Sequence, residues 1–258
     1  MGDVRDLSRR QFGAHAERYV TSPDHQTSES LDRLVALAAP QPEWRALDIA
    51  TGGGHTALAL SPLVREVVAS DLTPGMLAAA ERFIRDKGVT NVSFREADAC
   101  ALPFGDGEFD LVTCRVAPHH FPDVPLFVRE CARVVKPGGT VIVIDNVVPE
   151  DPAAALEINA IEKTRDPSHA RAYAESEWVG FFVDAGLRVG HIERFRKKRD
   201  FNFWAGMQNV DQATKARLRA MFLEASPGAR TALAPEESEG RLSFYLDEIL
   251  IASVRAPR

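Results

Sequence analysis

The chain has 258 residues, of which 45% are hydrophobic and 26% are charged, and its formal net charge at pH 7 is −6. This length and composition predict a soluble globular protein with a sizeable core. The negative charge argues against a mainly electrostatic interaction with nucleic acid or with anionic lipid. No stretch approaches the roughly 18 apolar residues that a membrane-spanning helix needs, so neither kind of partner is expected.

Cysteine usage and the N-terminal sequence favour a cytoplasmic protein. Cys100, Cys114 and Cys131 show no metal-binding or redox spacing, and the last two lie in apolar runs that are typical of buried positions. Residues 1–19 contain no apolar segment of the kind found in a secretory signal. We therefore expect unpaired cysteines, a reducing compartment and no metal ion.

Segments with strand character alternate with helical segments along the first half of the chain. The predicted strands are RALDIA (45–50), EVVASD (66–71), VSFREAD (92–98), FDLVTCRV (109–116) and TVIVIDNVV (140–148). The predicted helices between them include HTALALSPL (55–63), PGMLAAAERFIRDKG (74–88) and a segment capped by Asp123. Strands joined by helical crossovers predict an α/β fold with a doubly wound, mostly parallel sheet.

The second half of the chain is expected to complete this sheet. Two further strands, RVGHIERF (188–195) and SFYLDEILIASV (243–254), raise the predicted number to seven. A helix is predicted at 174–187, where Ser176 is a candidate N-cap and Gly186 a candidate stop.

Three segments stand apart from the alternating pattern. Residues 201–240 are predicted to be a helical insertion that forms a lid, and residues 1–30 an N-terminal cap, both within a single domain of residues 1–258. The basic run RFRKKRD (194–200) is predicted to be a solvated edge of the sheet, where positive charge discourages pairing with another sheet.

A glycine-rich loop follows the first predicted strand, at the edge of the sheet where parallel α/β proteins bind ligands. Gly52, Gly54 and Ala57 match the dinucleotide pattern G-x-G-x-x-A, and Asp71 would then hold a ribose, which leaves an NAD-dependent oxidoreductase open. Asp48 favours another ligand, because a carboxylate beside the loop repels a pyrophosphate and attracts the ammonium and sulfonium of S-adenosylmethionine. The alternative for Asp48 is a buried carboxylate that caps the turn.

The motif LDIATGGGHTALAL (47–60) resembles motif I of the class I S-adenosylmethionine-dependent methyltransferases, in the branch that contains the ubiquinone and menaquinone C-methyltransferases. The resemblance extends over about residues 12–150, through VVASDLTPGML, VSFREADACALPFGDGEFDLVTCRVAPHHFPD and FVRECARVVKPGGTVIVIDNVVPED. It implies a Rossmann-like fold and S-adenosylmethionine as the cofactor. Ala50 takes the place of the first glycine of the usual motif, which is tolerated if its φ angle is negative.

The resemblance also implies roles for individual residues. Asp71 is expected on the ribose, Leu72 and Met76 on the adenine ring, and Asp98 on the adenine amino group, beside the backbone of Ala99. Arg115 is expected to face the methionine end of the cofactor or the acceptor. The residues expected to bind the cofactor are Tyr19, Asp48, Ala50, Thr51, Gly52, Gly54, Asp71, Leu72, Met76, Asp98, Ala99 and Arg115. Met76 has the alternative of ordinary helix core, and Asp98 that of a turn residue.

Two histidines in RVAPHHFPD, His119 and His120, are the candidate catalytic residues, because an imidazole near neutrality can take a proton from the acceptor. A structural role for the pair is the alternative. The segment lacks the D/N-P-P-Y/F motif of the methyltransferases that act on nucleic acid bases. The sequence therefore favours methyl transfer to carbon or oxygen of a small molecule, with a non-catalytic S-adenosylmethionine-binding protein as a further alternative.

Overall fold

Apolar runs of five to seven residues form the parallel centre of a nine-stranded sheet in the computed structural model, which describes residues 4–13, 16, 20 and 28–257. The strands are β1 Arg45–Ile49, β2 Glu66–Asp71, β3 Val92–Glu96, β4 Phe109–Arg115, β5 Val135–Val148, β6 Tyr173–Ala174, β7 Leu187–Asp200, β8 Glu236–Ser238 and β9 Arg241–Arg255. Seven of them follow the order β3-β2-β1-β4-β5-β9-β7. The prediction of seven strands is wrong, because the sheet contains two more strands, β6 and β8, which are too short to carry an apolar pattern.

The sheet is parallel from β3 to β5, and β9 lies antiparallel between β5 and β7. Strand β9 is the last in the chain, yet it lies inside the sheet and β7 forms the edge. Successive strand residues face opposite sides of a sheet. Accordingly Leu47 packs in the core on one face, with Phe127 and Trp178, while Ala46 packs on the other face with Leu34.

Helices cover both faces of the sheet. They are α1 Val4–Gly13, α2 Glu29–Ala38, α3 His55–Leu60, α4 Pro74–Asp86, α5 Val124–Val134, α6 Pro152–Arg165, α7 Glu175–Asp184, α8 Phe201–Gly206, α9 Gln212–Leu223 and α10 Pro227–Leu233, with 3₁₀ turns at Ser61–Leu63 and Pro118–His120. Asp123 caps α5 as predicted, because its carboxylate accepts a hydrogen bond from the amide of Leu126. In the part of the chain that the structure describes, no helix has both the length and the apolarity to traverse a bilayer.

The prediction of Ser176 as the cap of α7 is wrong. The N-cap is Ala174, whose amide donates a hydrogen bond of 3.0 Å to the carboxylate of Glu177. Ser176 instead donates its hydroxyl to Glu150, in the loop after β5. Ser176 therefore bonds to an acceptor that is distant in the sequence instead of capping the helix. Gly186 does stop the helix, with a φ angle of 76°.

Residues 201–240 contain α8, α9, α10 and β8, and they connect β7 to β9. Their apolar side chains form a separate core against α6 and β9, in which Trp204, Phe222 and Phe244 are buried together. The helical character predicted for this segment is therefore observed.

The loop between β1 and α3 bends sharply through left-handed backbone conformations. Ala50, Gly52 and Gly54 have φ angles of 52°, 55° and 83°. The expectation of a negative φ at Ala50 is therefore wrong, and this alanine adopts a conformation that costs about 1 kcal/mol for a residue with a Cβ. At Gly54 a Cβ would lie 2.9 Å from Cδ1 of Ile84 in α4, so this glycine allows α4 to pack against the loop.

The two loop positions give opposite predictions for stability. We expect Ala50→Gly to raise the free energy of unfolding by about 1 kcal/mol, because the strain of a left-handed alanine is removed. We expect Gly54→Ala to lower it by about 2 kcal/mol or more, because strain and a clash with Ile84 are both introduced. Chemical denaturation with two probes measures both changes. Destabilisation by Ala50→Gly would contradict the backbone assignment.

Candidate active site

A cavity of about 230 Å³ opens at the carboxyl ends of β1, β2 and β4. The strand order reverses between β1 and β4, which is the position where open α/β sheets bind ligands. Most of the residues singled out from the sequence line it: Asp48, Ala50, Thr51, Gly52, Asp71, Leu72, Met76, Asp98, Ala99, Arg115, His119 and His120. Gly54 is not among the lining residues, and Tyr19 lies outside the described residues.

Asp71 ends β2 and fixes the glycine loop in place. Its Oδ2 accepts a hydrogen bond of 3.1 Å from the amide of Gly52, and its Oδ1 accepts one of 2.9 Å from the amide of Thr73. Burial raises the pKa of this carboxyl, while the two amides act in the opposite direction. A carboxylate has acceptor capacity for about four hydrogen bonds, so Asp71 can still accept from the two hydroxyls of a ribose.

Asp48 lies in the buried part of β1, one residue before the end of the strand, and has two hydroxyl partners. Thr51 donates to its Oδ2 over 2.6 Å and Thr113 to its Oδ1 over 2.9 Å. Burial raises the pKa of Asp48 to about 6, although both hydroxyls and the nearby charge of Arg115 favour the ionised form. The carboxylate therefore both shapes the turn, through Thr51, and places negative charge at the cavity wall. The turn-capping role that was the alternative for Asp48 is therefore observed.

Apolar side chains and one acid form the end of the cavity beyond Asp71. Leu72 and Met76 line it from the start of α4, and Ala99 lines it from the loop after β3. Asp98 accepts a hydrogen bond of 2.9 Å from the amide of Cys100, the turn role that was its alternative, and is paired with Arg5 of α1 over 2.7 Å. Arg5 could not be found from the sequence, because nothing in α1 indicates that it reaches β3.

His119 forms a buried pair with Asp145 of β5. Its Nδ1 lies 2.5 Å from Oδ1 of Asp145, and both side chains are almost fully buried. Burial alone would lower the pKa of His119, but the charge and hydrogen bond of Asp145 outweigh it and raise the pKa. With Nδ1 engaged in this way, Nε2 is the nitrogen of His119 that can exchange a proton with a molecule in the cavity.

His120 and His169 complete a group of three imidazoles. The ring centroids of His119 and His120 are 4.2 Å apart, and those of His119 and His169 are 5.5 Å apart. Burial and, to a lesser extent, the neighbouring charge of His119 lower the pKa of His120 to about 3, so His120 is neutral. Its Nδ1 is 3.2 Å from the hydroxyl of Ser168. No group of three or more His, Cys, Asp or Glu side chains within the described ranges is arranged to hold a metal ion.

The far end of the cavity is built from the second half of the chain. Trp204, Phe203 and Met207 of the 201–240 segment line it, so part of this segment packs in its own core and part faces the cavity. The other lining residues from this half are Arg165, Lys197, Arg199, Gln208, Leu246 and Glu248. None of these was singled out as a site residue in the sequence, although Lys197 and Arg199 belong to the basic run.

The residues present fit S-adenosylmethionine. Asp71 retains hydrogen-bonding capacity for ribose hydroxyls, and Leu72 and Met76 offer apolar surface for an adenine. Asp48 supplies the negative charge that an ammonium and a sulfonium require and that a pyrophosphate would avoid. Gly52 adopts a left-handed conformation at the cavity wall, where a Cβ would lie 3.6 Å from Cε of Met76.

Sequence and structure comparisons place the chain among methyltransferases. The family described as methyltransferase domain matches residues 47–143. The uncharacterised methyltransferase YcgJ of Bacillus subtilis is 35% identical over 246 residues, which cover 95% of this chain and 97% of YcgJ. The crystal structure of BH2331 from Bacillus halodurans C-125 matches with a TM-score of 0.85 and 36% identity, over 89% of this chain and 100% of that one.

A more distant relative has a named biosynthetic role. The ubiquinone/menaquinone biosynthesis C-methyltransferase UbiE of Shewanella frigidimarina is 37% identical over 120 residues, which are 45% of this chain and 48% of UbiE. Together with the match to nearly all of YcgJ, this decides between the two cofactors considered for the glycine loop, in favour of S-adenosylmethionine over NAD. The chain belongs to the family of S-adenosylmethionine-dependent methyltransferases.

Proposed function

We propose that this enzyme transfers a methyl group to carbon or oxygen of a small-molecule acceptor that loses a proton in the reaction. The observation that carries the proposal is the buried pair of His119 and Asp145, of which His119 lines the cavity that also contains the glycine loop. The C-methyltransferase activity named for UbiE supports carbon as one of the two target atoms.

The donor provides the reactive methyl group, and the protein provides binding, orientation and the exclusion of water. Bound S-adenosylmethionine supplies an electrophilic methyl group on a sulfonium. Asp71 would hold the ribose, Asp48 and the loop amides the amino acid end, and Leu72 and Met76 the adenine. The protein accelerates the reaction by orienting the acceptor and by excluding water from the cavity.

His119 is the candidate general base among the two predicted catalytic histidines. The carboxylate of Asp145 favours a proton on Nδ1, which leaves Nε2 as the atom that accepts the proton of a hydroxyl or of an activated carbon. His120 is a weaker candidate, because burial and the charge of His119 hold its pKa far below neutrality. The N-terminal helix α1 and residues 201–240 would act as the cap and the lid, since Phe12 and Phe203 both line the cavity.

Donor binding tests the cofactor half of the proposal. We expect Asp71→Ala to weaken the affinity for S-adenosylhomocysteine at least about 100-fold in calorimetry, because two charge-assisted hydrogen bonds and the loop anchor are lost together. Glu96→Ala is the matched control, since Glu96 is the register partner of Asp71 at the end of β3 and is half exposed. Unchanged affinity of the Asp71 variant, or an equal loss in both, would refute the ribose role.

The pKa of Asp48 predicts a pH dependence of donor binding. A carboxyl with a pKa of about 6 is ionised at pH 7.5 and protonated at pH 5, so the attraction for the donor's positive charge is lost on acidification. We expect the affinity for S-adenosylhomocysteine, which retains the ammonium, to fall about tenfold over this interval. Asp48→Asn should bind more weakly at pH 7.5 and show a smaller change. An equally steep profile in the variant would assign the effect to another group.

Methyl transfer itself can be followed with labelled S-adenosylmethionine and a small-molecule extract. We expect label in products below about 1 kDa, and a rate at least about 100-fold lower in His119→Gln with donor affinity unchanged. Asp145→Asn should move the acid limb of the pH–rate profile to lower pH, because the charge that raises the pKa of His119 is removed. Label appearing only in protein or RNA would overturn the small-molecule assignment.

A further inference from the structure

A buried carboxylate sets the direction of the hydrogen bonds behind His120. The Oδ1 atom of Asp166 accepts hydrogen bonds from the amide of Ser168 over 2.8 Å and from its hydroxyl over 2.5 Å, and Oδ2 accepts one from Gln208 over 2.8 Å. Burial acts to raise the pKa of Asp166, but nearby cationic groups and the hydrogen bonds from Ser168 outweigh it and lower the pKa. An ionised carboxylate has no proton to give, so the hydroxyl of Ser168 is the donor in their bond.

The proton of the neutral His120 ring is consequently on Nδ1. A serine hydroxyl has one proton, and that of Ser168 is engaged by Asp166. Toward Nδ1 of His120, which lies 3.2 Å away, the oxygen of Ser168 offers only lone pairs, so Nδ1 must donate. In a neutral imidazole the second nitrogen has no proton, which makes Nε2 of His120 a hydrogen-bond acceptor.

Nε2 of His120 is the nitrogen on the cavity side of the ring. His120 lines the cavity and Ser168 does not, so Nδ1 is turned away from the cavity and Nε2 faces it. The neighbouring His169 is bound elsewhere, since its Nε2 lies 2.8 Å from Oδ1 of Asn159. Among the described residues, Ser168 supplies every hydrogen bond of the His120 ring. The cavity wall thus carries an unprotonated acceptor beside His119, whose ring centroid is 4.2 Å away.

We propose that Nε2 of His120 selects the methyl acceptor by accepting a hydrogen bond from a second polar hydrogen, on a hydroxyl or amino group beside the group that gives its proton to His119. This inference rests on the proposed function, in which His119 is the general base. The two histidines then differ in role, because His119 takes a proton and His120 receives a hydrogen bond without taking one. A molecule that lacks the second polar hydrogen leaves Nε2 unpaired when it binds, which costs affinity.

The position of the proton is tested by ¹⁵N NMR of protein labelled in its histidines. The resonances of His120 are assigned by their loss in His120→Gln. We expect Nδ1 to have the shift of a protonated nitrogen and Nε2 that of an unprotonated one, without change between pH 8 and pH 5, because the ring stays neutral over this interval. A proton on Nε2 would overturn the proposal.

Selection is tested with small aromatic probes, which suit a cavity lined by Phe12, Phe121 and Trp204. Phenol, catechol and ortho-aminophenol are titrated calorimetrically into the protein saturated with S-adenosylhomocysteine. We expect catechol or ortho-aminophenol to bind at least about fivefold more tightly than phenol. His120→Phe should reduce this preference below about twofold, because phenylalanine keeps a ring and has no acceptor. His191→Phe, on β7 and outside the cavity lining, is the matched control and should keep the full preference.

His120→Gln guards against a folding defect, because its amide oxygen can replace Nε2 as the acceptor. It should retain part of the preference that His120→Phe loses. Absence of a preference in the wild type, or an equal preference in His120→Phe, would contradict the role of His120. Failure of His119→Gln to slow methyl transfer would instead contradict the proposed function, and the NMR and binding results would still decide on His120. Catechol against ortho-aminophenol distinguishes a hydroxyl from an amino group.

Discussion

The hydrogen bond from the Gly52 amide to the Asp71 carboxylate ties the loop after β1 to the end of β2. This link helps to fix the left-handed turn that brings backbone rather than side chains to the cavity wall. The Asp71 carboxylate accepts this hydrogen bond while it is buried, and the burial raises its pKa. Asp48 and Thr51 support the same turn from β1. The loop is thus held from two neighbouring strands, which is possible only where parallel strands end together.

Much of the fold and of the donor end could be predicted from the sequence, because the signals there are local. Apolar runs mark β1, β2, β4 and β5, and Asp48 and Asp71 mark strand ends that meet at one edge of a parallel sheet. The failures arise where contacts with other parts of the chain override a local signal. Alanine normally favours a negative φ angle, yet the neighbours of Ala50 hold it at a φ angle of 52°. Ser176 satisfies the rules for an N-cap but finds Glu150, a partner 26 residues away.

The partner of His119 and the cavity residues from β7 and β9 could not be predicted, because they depend on contacts between distant segments. Asp145 is an acid within a buried apolar strand, which is itself a signal of function, but its partner His119 is 26 residues away. Lys197 and Arg199 alternate with Arg196 and Lys198 in one charged run, and the sequence does not tell which pair faces inward. That depends on the register with β9, which is formed by the last residues of the chain to enter the sheet.

The hairpin of β7 and β9, with residues 201–240 at its turn, comes from the second half of the chain, whereas the glycine loop comes from the first half. The match to the methyltransferase domain covers residues 47–143, and Lys197, Trp204 and Glu248 of the cavity follow it, although the match to YcgJ covers 95% of the chain. Substitutions, insertions or deletions in the later segment can therefore reshape the part of the cavity proposed for the acceptor without changing the glycine loop proposed for the donor. Such an architecture permits specificity to diverge among descendants of one ancestor without any change in how the methyl source is recognised.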